Sequence, residues 1–482
     1  MDVDSLAVQE FLMATISSPG IGSGLDVKSI VSQLVALEKQ PLTKLQVQAA
    51  TVSTRISAFG QIKSLISTLS DAAGTLSSLT TWNAVSTTSS NATAVSASAI
   101  GGTASNSFSA QVTVLAKAQS YASAALPLPT GTALGGGTVS IQLGKWTNPT
   151  TFAATAGVAA VDVTVLATDS VTEIASKINS ASAGVSATVL NDAAGERLLL
   201  RSTSTGESFG FSLSVTDSDG VHDDATGLSR LVSGASTQYA ANAAATINGS
   251  IPVTSATNTF TNVISGVTLT AKEVMTSAAE ITVAQDQGVM TTAINKFVSA
   301  YNAVNQILEE ATKYDPATKS AGLLQGDATA IGLQRALRGI LQSSTTGSAY
   351  TRLADIGITQ QLGGDLAVDN TKLTSALNSG DDVRNLFRID NNNELTNGVA
   401  RKFKTFSVGL LATDGFFSSK DASLKRSLDL NSKDQQRVNE KITRVEAQLN
   451  RRYSALDVQL SSLNALNAYI TQQVTQWNKS TA

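Results

Sequence analysis

The chain has 482 residues, a net charge of −3 and no cysteine, so it has room for about three domains but for neither disulfide bonds nor thiolate metal sites. Hydrophobic residues make up 42% of the sequence, which is enough for hydrophobic cores, while the near-neutral charge gives no electrostatic reason to expect a nucleic-acid partner. No run of about 18 apolar residues occurs, so the sequence predicts no membrane span.

The N-terminal region carries acidic residues where a secretory signal would need a basic start and an unbroken apolar run. Asp2, Asp4 and Glu10 occupy those positions, so the sequence predicts no Sec-type signal. Ser23 and Asp26 then have the S-x-x-D spacing of a helix N-cap. Pro41 is expected to end this first helix.

A second, longer helix is predicted after Pro41 because apolar residues recur at intervals of three, four and seven. They are Leu45, Val52, Ile56, Phe59, Ile62, Ile66, Leu69 and Leu76.

From residue 83 to 287 the sequence changes to β-branched and small polar residues in alternating segments, which predicts a block rich in strands. Asn248-Gly249 lies between two such segments and indicates a tight hairpin, because both residues tolerate positive φ. Ser170 and Glu173 form a capping box for one helix inside the block. Two stretches, 126–140 and 227–243, have the Gly- and Pro-rich or Ser-rich composition of linkers, so a smaller α/β domain is expected to be nested between them.

Helical patterns return after residue 287. One helix is predicted near 290–314, a hairpin around Gly363-Gly364, and a pair of short helices at 371–387. The last helix is predicted from Ser418 to Asn478, since neither Gly nor Pro occurs from Phe416 to the end.

This last helix carries apolar residues at intervals of mostly three, four and seven, which we call the C-terminal stripe. Such a stripe must be covered by another surface, and we expect it to bind in an assembly. Its members are Val445, Leu449, Leu456, Leu460, Leu463, Ile470 and Val474.

The sequence therefore predicts an α+β multidomain protein, with long helical, coiled-coil-like segments from both termini and β-rich domains inserted between them. The expected parts are an N-terminal export or docking segment (1–41), a helical core domain (42–82 plus 288–449), a β-rich domain (83–125 plus 240–287), a nested α/β domain (126–239) and a C-terminal docking helix (450–482).

Residues for catalysis or metal binding are scarce. His222 is the single histidine and lies among aspartates in a turn-like loop, but the loop lacks the ligand order of an EF-hand. Lys145 follows a glycine run, yet Trp146 stands where a phosphate loop needs Ser or Thr. We predict no catalytic, cofactor-binding or metal-binding residues and no enzymatic activity.

Several segments resemble the bacterial flagellar filament-capping family, also called hook-associated protein 2. The stretch "SSPGIGSGLDVKSIVSQLVALEKQPLTKLQ" resembles its N-terminal signature. Later segments similar to the family begin at Thr257, Gly322 and Asp414. The likeness is specific over 18–81 and from about 243 to the C-terminus, and looser in between.

The resemblance implies an assembly protein for motility, exported by the flagellar type III route and located outside the cell at the filament tip. It implies a homo-oligomeric ring of about four to six subunits, which helps flagellin to fold and insert. Hook-junction proteins, and an export chaperone that binds the C-terminal helix, are the other implied partners.

Two alternatives stay open at this point: a flagellin-like or hook-junction axial protein, and an adhesin that uses its middle domains.

Family members begin a few residues before the Gly-Ile-Gly-Ser-Gly stretch, so either Met13 is the initiator or residues 1–12 are an extension without a role in the cap. We also expect residues 1–40 and 450–482 to be mobile in the free chain and to become ordered on docking.

Overall fold

The computed structural model describes residues 26–222, 224–379 and 381–480. The described chain falls into two compact units. The first unit combines the chain up to Ser77 with the chain from Ala293 onward, and the second unit is Ser78–Thr292. Residues 1–25 lie outside the described residues, and with them Ser23, Met13 and most of the predicted N-terminal segment.

The helices of both units are, in chain order, α1 (Val27–Ser77), α2 (Leu79–Trp82), α3 (Val171–Ser180), α4 (Gln287–Thr312), α5 (Ala328–Gln342), α6 (Asn370–Leu377), α7 (Asp381–Arg388), α8 (Val399–Leu411) and α9 (Phe416–Ser480). The predicted α4, the short α6–α7 pair and the long α9 are confirmed.

The strands are β1 (Val85–Ser89), β2 (Val95–Ala99), β3 (Asn106–Val114), β4 (Ser120–Ala122), β5 (Gly137–Asn148), β6 (Thr151–Ala154), β7 (Val161–Val165), β8 (Val185–Asp192), β9 (Gly195–Ser202), β10 (Gly210–Asp217), β11 (Ser236–Gln238), β12 (Ala243–Ile247), β13 (Ile251–Ser255), β14 (Thr259–Ile264), β15 (Val267–Ala271), β16 (Ala279–Gln285), β17 (Tyr314–Asp315), β18 (Ser320–Ala321), β19 (Ile358–Gln360) and β20 (Leu366–Val368).

The core of the first unit is built from aromatic side chains of α4, α7 and α8. Phe297 of α4 lies edge-on to Phe403 of α8, with ring centroids 5.2 Å apart, and to Phe387 of α7 at 6.5 Å. Tyr301 contacts the same Phe403 ring at 5.9 Å. All four side chains are fully buried, so this cluster joins the short helices into one body.

Helix α1 runs unbroken through Pro41, so the prediction that Pro41 ends a first helix is wrong. Proline lacks the amide that would bond to the carbonyl of Leu37, and an interior proline costs about 3 kcal/mol. Packing of α1 against α9 on both sides of this position offsets that cost. At the start of the helix, Asp26 accepts a hydrogen bond from the Ser29 amide at 2.9 Å.

The outer part of the second unit consists of a five-stranded antiparallel sheet in the order β1-β16-β3-β12-β13 and a three-stranded sheet β14-β15-β2. The predicted hairpin at Asn248-Gly249 is confirmed, and both residues have positive φ, at 48° and 74°. Pairing of Ile247 with Ile251 leaves three residues in the loop instead of the two of a type I′ turn.

The nested part has its own hydrophobic core between two four-stranded sheets and α3. The predicted capping box of α3 is confirmed, since the Ser170 side chain and the Glu173 side chain each bond to the other's backbone amide. Tyr121 of β4 belongs to this core, five residues before the predicted boundary at 126. The five-part division of the whole chain stays a prediction.

The prediction of linkers at 126–140 and 227–243 is wrong, because both stretches pack on the nested core. Leu126 and Leu134 are 2% and 5% exposed, and Leu228 and Leu231 are fully buried. Glycine and proline in these stretches form turns that hold apolar side chains against the sheets. A composition rich in these residues therefore does not by itself indicate a linker.

Limited proteolysis should therefore cut first in the exposed loop 155–160, where every residue is exposed, and not at 134–137. Proteases need several residues of unpaired, accessible backbone. The segment around Leu134 is not accessible in this way, because Leu134 is buried. We expect proteinase K to cleave between Thr155 and Ala160 at the earliest time points, as read by mass spectrometry. Earlier cleavage beside Leu134 would contradict the packing of that stretch.

In the ranges that the structure describes, no helix combines the length and the apolar character needed to cross a membrane.

Candidate assembly interface

Helices α1 and α9 lie side by side in opposite directions. Glu38 and Lys441 form an ion pair at 2.8 Å, and the Asn431 side chain donates to the Leu45 carbonyl at 3.0 Å. Nearer the start of α9, Phe416 lies edge-on to Phe59 with ring centroids 6.4 Å apart. The contacts therefore run along α1 at least from Glu38 to Phe59.

A small apolar cluster joins the first turns of α1 to the middle of α9. Val27, Val31 and Val35 are 2% to 5% exposed and pack with Ile442, which is 5% exposed. Half-buried Leu42, Val438, Leu449 and Tyr453 complete this cluster. The described part of α1 thus covers α9 as far as Tyr453.

The face of α1 that packs against α9 carries the three valines. Ile30, Leu34 and Leu37 suggest a stripe by their spacing, but Leu37 is 61% exposed. The buried residues are the three valines at intervals of four, and that spacing was visible in the sequence. The expectation that residues up to 40 are mobile is not supported for 27–40, because their valines are packed on α9.

Helix α9 continues far beyond the end of α1. It is 65 residues long, or about 98 Å at about 1.5 Å per residue, and about 40 Å of it follow Tyr453. Along this last part Leu456 is 41% exposed, Leu463 58%, Ile470 50% and Val474 48%. Large apolar side chains in such a row are costly to leave in water.

The C-terminal stripe is one continuous line on the surface of α9. At about 100° per residue its seven predicted members fall within an arc of about 80°. Ile442, which α1 buries, lies on the same line, while Val445, Leu449 and Leu460 are half-buried. The face that α1 covers up to Tyr453 is therefore the face that is exposed after it.

The start of α9 is held by a charged and aromatic contact. Lys420 lies over the Phe59 ring, 4.9 Å from its centroid, and its amine donates to Asp327 at 2.8 Å. Asp327 is also the N-cap of α5, accepting bonds from the Thr329 and Ala330 amides. This contact fixes the start of α9 against α1 and α5.

The pKa of Asp327 reflects these bonds. Burial alone would raise the pKa, but hydrogen bonds from Lys420, from Thr329 and from the Ala330 amide together outweigh it and lower the pKa to about 2. The pKa of Asp327 is lower in the folded chain than in the unfolded chain, where it is about 4. The charged carboxylate therefore stabilises the fold at pH values above about 4. That stabilisation is lost as the pH falls through about 2.

We expect Asp327→Asn to lower the free energy of unfolding at pH 7 by about 1 kcal/mol, because asparagine keeps the cap but loses the charge that faces Lys420. Urea unfolding at several pH values tests this. The difference between the two proteins should be constant above about pH 4 and shrink towards pH 2. A difference that does not change with pH would contradict the role given to this carboxylate.

The candidate residues for chemistry are bonded to other protein groups, and Lys145 forms an ion pair with Glu207 at 2.7 Å. His222 Nδ1 accepts a hydrogen bond from the Asp217 amide at 3.0 Å, and Asp219 accepts from the Val221 amide in the same loop. Among the residues with a described position, no three side chains of the metal-binding types come together.

Comparisons with known proteins agree with the architecture. Residues 23–119 match the family model described as flagellar hook-associated protein 2 N-terminus, and 240–465 match the C-terminus model of the same family. Flagellar hook-associated protein 2 of Escherichia coli K12 is 32% identical over 96% of this chain and 98% of its own length. The chain belongs to the flagellar hook-associated protein 2 family. The predicted resemblance is thereby confirmed.

Further relatives support the same family. The B-type flagellar hook-associated protein 2 of Pseudomonas aeruginosa is 29% identical over 97% of both chains. The solved D1–D2–D3 domains of the flagellar cap protein FliD from Escherichia coli are 30% identical, cover 76% of this chain and 99% of their own, and superpose with a TM-score of 0.57. Residues 151–204, in the nested part, match a flagellin hook IN motif.

Proposed function

We propose that this protein caps the distal tip of the bacterial flagellar filament, outside the cell. There it would assist each exported flagellin subunit to fold and insert, and it would prevent the loss of flagellin into the medium. Membership of the hook-associated protein 2 family and the likeness to a solved flagellar cap protein support this proposal.

The proposal rests on the part of the C-terminal stripe that follows Tyr453, because the described part of α1 does not cover it. A helix whose apolar face is covered over one part and exposed over the next has a surface ready to pack against another protein. In the cap, that surface would face the end of the filament, with Leu456, Leu463 and Val474 buried against flagellin or neighbouring subunits.

We further propose that the chain acts as a ring of about four to six subunits, because identical chains usually assemble with closed, symmetric arrangements. Before export, the stripe would be covered by a chaperone that binds the C-terminal helix. At the first stage of filament growth the ring would rest on hook-junction proteins.

The proposal is tested by deleting the gene for this chain and measuring where flagellin goes. The expected result is monomeric flagellin in the culture medium and no filaments, with both defects reversed by the wild-type chain. Normal filaments in the deletion strain would overturn the cap function.

A flagellin-like or hook-junction role is less well supported, since the matched relatives are hook-associated protein 2. The number of copies distinguishes the axial role from the cap role. An axial protein such as flagellin occurs along the whole filament, whereas a cap occurs only at its end. An adhesive role of the second unit is compatible with capping and would depend on its exposed loops.

A further inference from the structure

Strand β8 forms an open edge of the nested part. It is the last strand of the sheet β11-β4-β9-β8, and within the described residues it pairs with β9 alone. Open edges present unpaired backbone groups to which another chain can bind, and most proteins block them. Here Asn179 of α3 blocks one part of the edge, because its side chain accepts from the Ala187 amide at 2.7 Å and donates to the Ala187 carbonyl at 2.8 Å.

The bonds of Ala187 show which backbone groups of β8 point outward. In an antiparallel edge strand, alternate residues direct both their amide and their carbonyl away from the neighbouring strand. Val189 and Asn191 therefore direct theirs outward, as Ala187 does. Leu198, which pairs with Val189, agrees, because its amide and carbonyl both bond to Ser123 on the other side of β9. Two residues of β8 thus offer two amides and two carbonyls to a further strand.

A groove of about 790 Å³ lies beside this edge, between α3 and β8. Thr172, Ser176 and Asn179 of α3 line one wall at intervals of about one helical turn, and Val189 and Asn191 of β8 line the other. The groove is therefore next to the backbone groups that a further strand would use, and its α3 wall carries polar side chains that can bond to a peptide.

A buried carboxylate also lines the groove. Among the described residues that line it, Glu196 of β9 alone is charged. Glu196 is 5% exposed, and no described residue forms a hydrogen bond or an ion pair with its side chain. The adjacent Arg197 is occupied by Asp192 at 2.7 Å and by the Ser123 carbonyl at 3.1 Å. Buried carboxylates are normally paired, so the groove lacks a cation.

This charge decides between the possible occupants of the groove. Residues 1–25 contain Asp2, Asp4 and Glu10 but neither lysine nor arginine, so the chain's own N-terminal segment does not complement Glu196. A second copy that paired through its own β8 would bring no cation either, since β8 has no basic residue. An extended segment of another protein that carries lysine or arginine satisfies both the backbone groups and the carboxylate.

We propose that the edge of β8 is a peptide-binding site, where an extended segment of unfolded flagellin adds as a strand and places a lysine or arginine side chain against Glu196. This inference rests on the proposed cap function, which supplies flagellin that has not yet folded. Asn179 leaves only two outward-facing residues of the edge free, so the binding is weak and reversible. A segment that must leave the cap again in order to fold requires such binding.

The test measures how the purified full-length chain binds short fluorescent peptides that together cover the flagellin of the same bacterium, by fluorescence polarisation. Peptides with lysine or arginine should bind, and Glu196→Gln should weaken their binding about tenfold, because glutamine keeps the size of the side chain but loses its charge. Glu273→Gln is the matched control, since Glu273 is an exposed acidic residue in the outer part of the same unit.

A second variant tests the backbone contacts. Val189→Pro removes one outward amide at an edge position, where proline is tolerated, and should abolish binding while circular dichroism shows an unchanged fold. Replacing the basic residue of a bound peptide by glutamine should weaken binding to the wild-type chain but have little further effect with Glu196→Gln, because both changes remove the same ion pair.

Absence of peptide binding, or equal binding by the wild-type chain and the folded Glu196→Gln and Val189→Pro variants, would overturn this site. Equal binding of a peptide of residues 1–25, or dimers in mass photometry that Val189→Pro abolishes, would overturn flagellin as the occupant. Because peptide binding is measured on the purified chain, these outcomes leave the cap function standing. Normal filaments in the deletion strain would overturn the cap function even if peptides bind at β8.

Discussion

The double substitution Leu456→Asp and Leu463→Asp should abolish filament elongation while leaving the chain folded. Both side chains are exposed on α9 beyond Tyr453, so two new carboxylates meet water in the free protein and cost little. In the assembled cap the same positions would be buried, and an unpaired charge buried in an apolar interface costs several kcal/mol. Because about 1.4 kcal/mol corresponds to a tenfold change in affinity, two such charges should weaken the contact by several powers of ten.

The measurement is swimming motility and the amount of flagellin in the medium, in a deletion strain that expresses the variant. Val458→Asp is the matched control, because Val458 is 68% exposed on the same helix but lies about 200° around it from Leu456. Circular dichroism should show an unchanged fold for both variants. Normal swimming of the double variant, or equal loss with Val458→Asp, would exclude the stripe as the docking surface.

The largest effect on stability is expected from Phe403→Ala in α8. Phe403 is fully buried and contacts the rings of Phe297 and Tyr301 at 5.2 and 5.9 Å. Truncation of a buried phenylalanine removes its apolar burial and leaves a cavity, which together lower the free energy of unfolding by about 3 to 5 kcal/mol. The helices of the first unit should therefore unfold at a clearly lower urea concentration.

Urea unfolding followed at 222 nm tests this, since the helices dominate the signal at that wavelength. Val408→Ala on the same helix, at a position 51% exposed, should change the free energy of unfolding by less than about 0.5 kcal/mol. A loss below about 1 kcal/mol for Phe403→Ala would show that the aromatic cluster is not the core of this unit.

Much of the fold was predictable because its signals are local. The long α9 follows from the absence of Gly and Pro after Phe416, the α3 boundary follows from the Ser170–Glu173 capping box, and the β12–β13 turn follows from Asn248-Gly249. Each of these patterns specifies backbone geometry over a few residues, so no knowledge of distant contacts is needed.

The predictions that were wrong concern features that depend on contacts between residues far apart in the sequence. A proline such as Pro41 ends an isolated helix. In this chain α1 packs against α9 both before and after Pro41, and this packing keeps α1 continuous. The stretches around Leu134 and Leu228 have the composition of linkers, yet their leucines fill the nested core. The spacing of the C-terminal stripe can be read from the sequence, but the point, Tyr453, at which its cover by α1 ends cannot. The role of the stripe in assembly stays a prediction.

We propose that the exposed part of the C-terminal stripe holds this chain at the filament tip. Electron microscopy of filaments labelled with an antibody against the second unit tests it most directly. We predict label at one end of each filament with the wild-type chain and with Val458→Asp, and no tip label with Leu456→Asp/Leu463→Asp. Label along the whole filament, or tip label retained by the double variant, would contradict the claim.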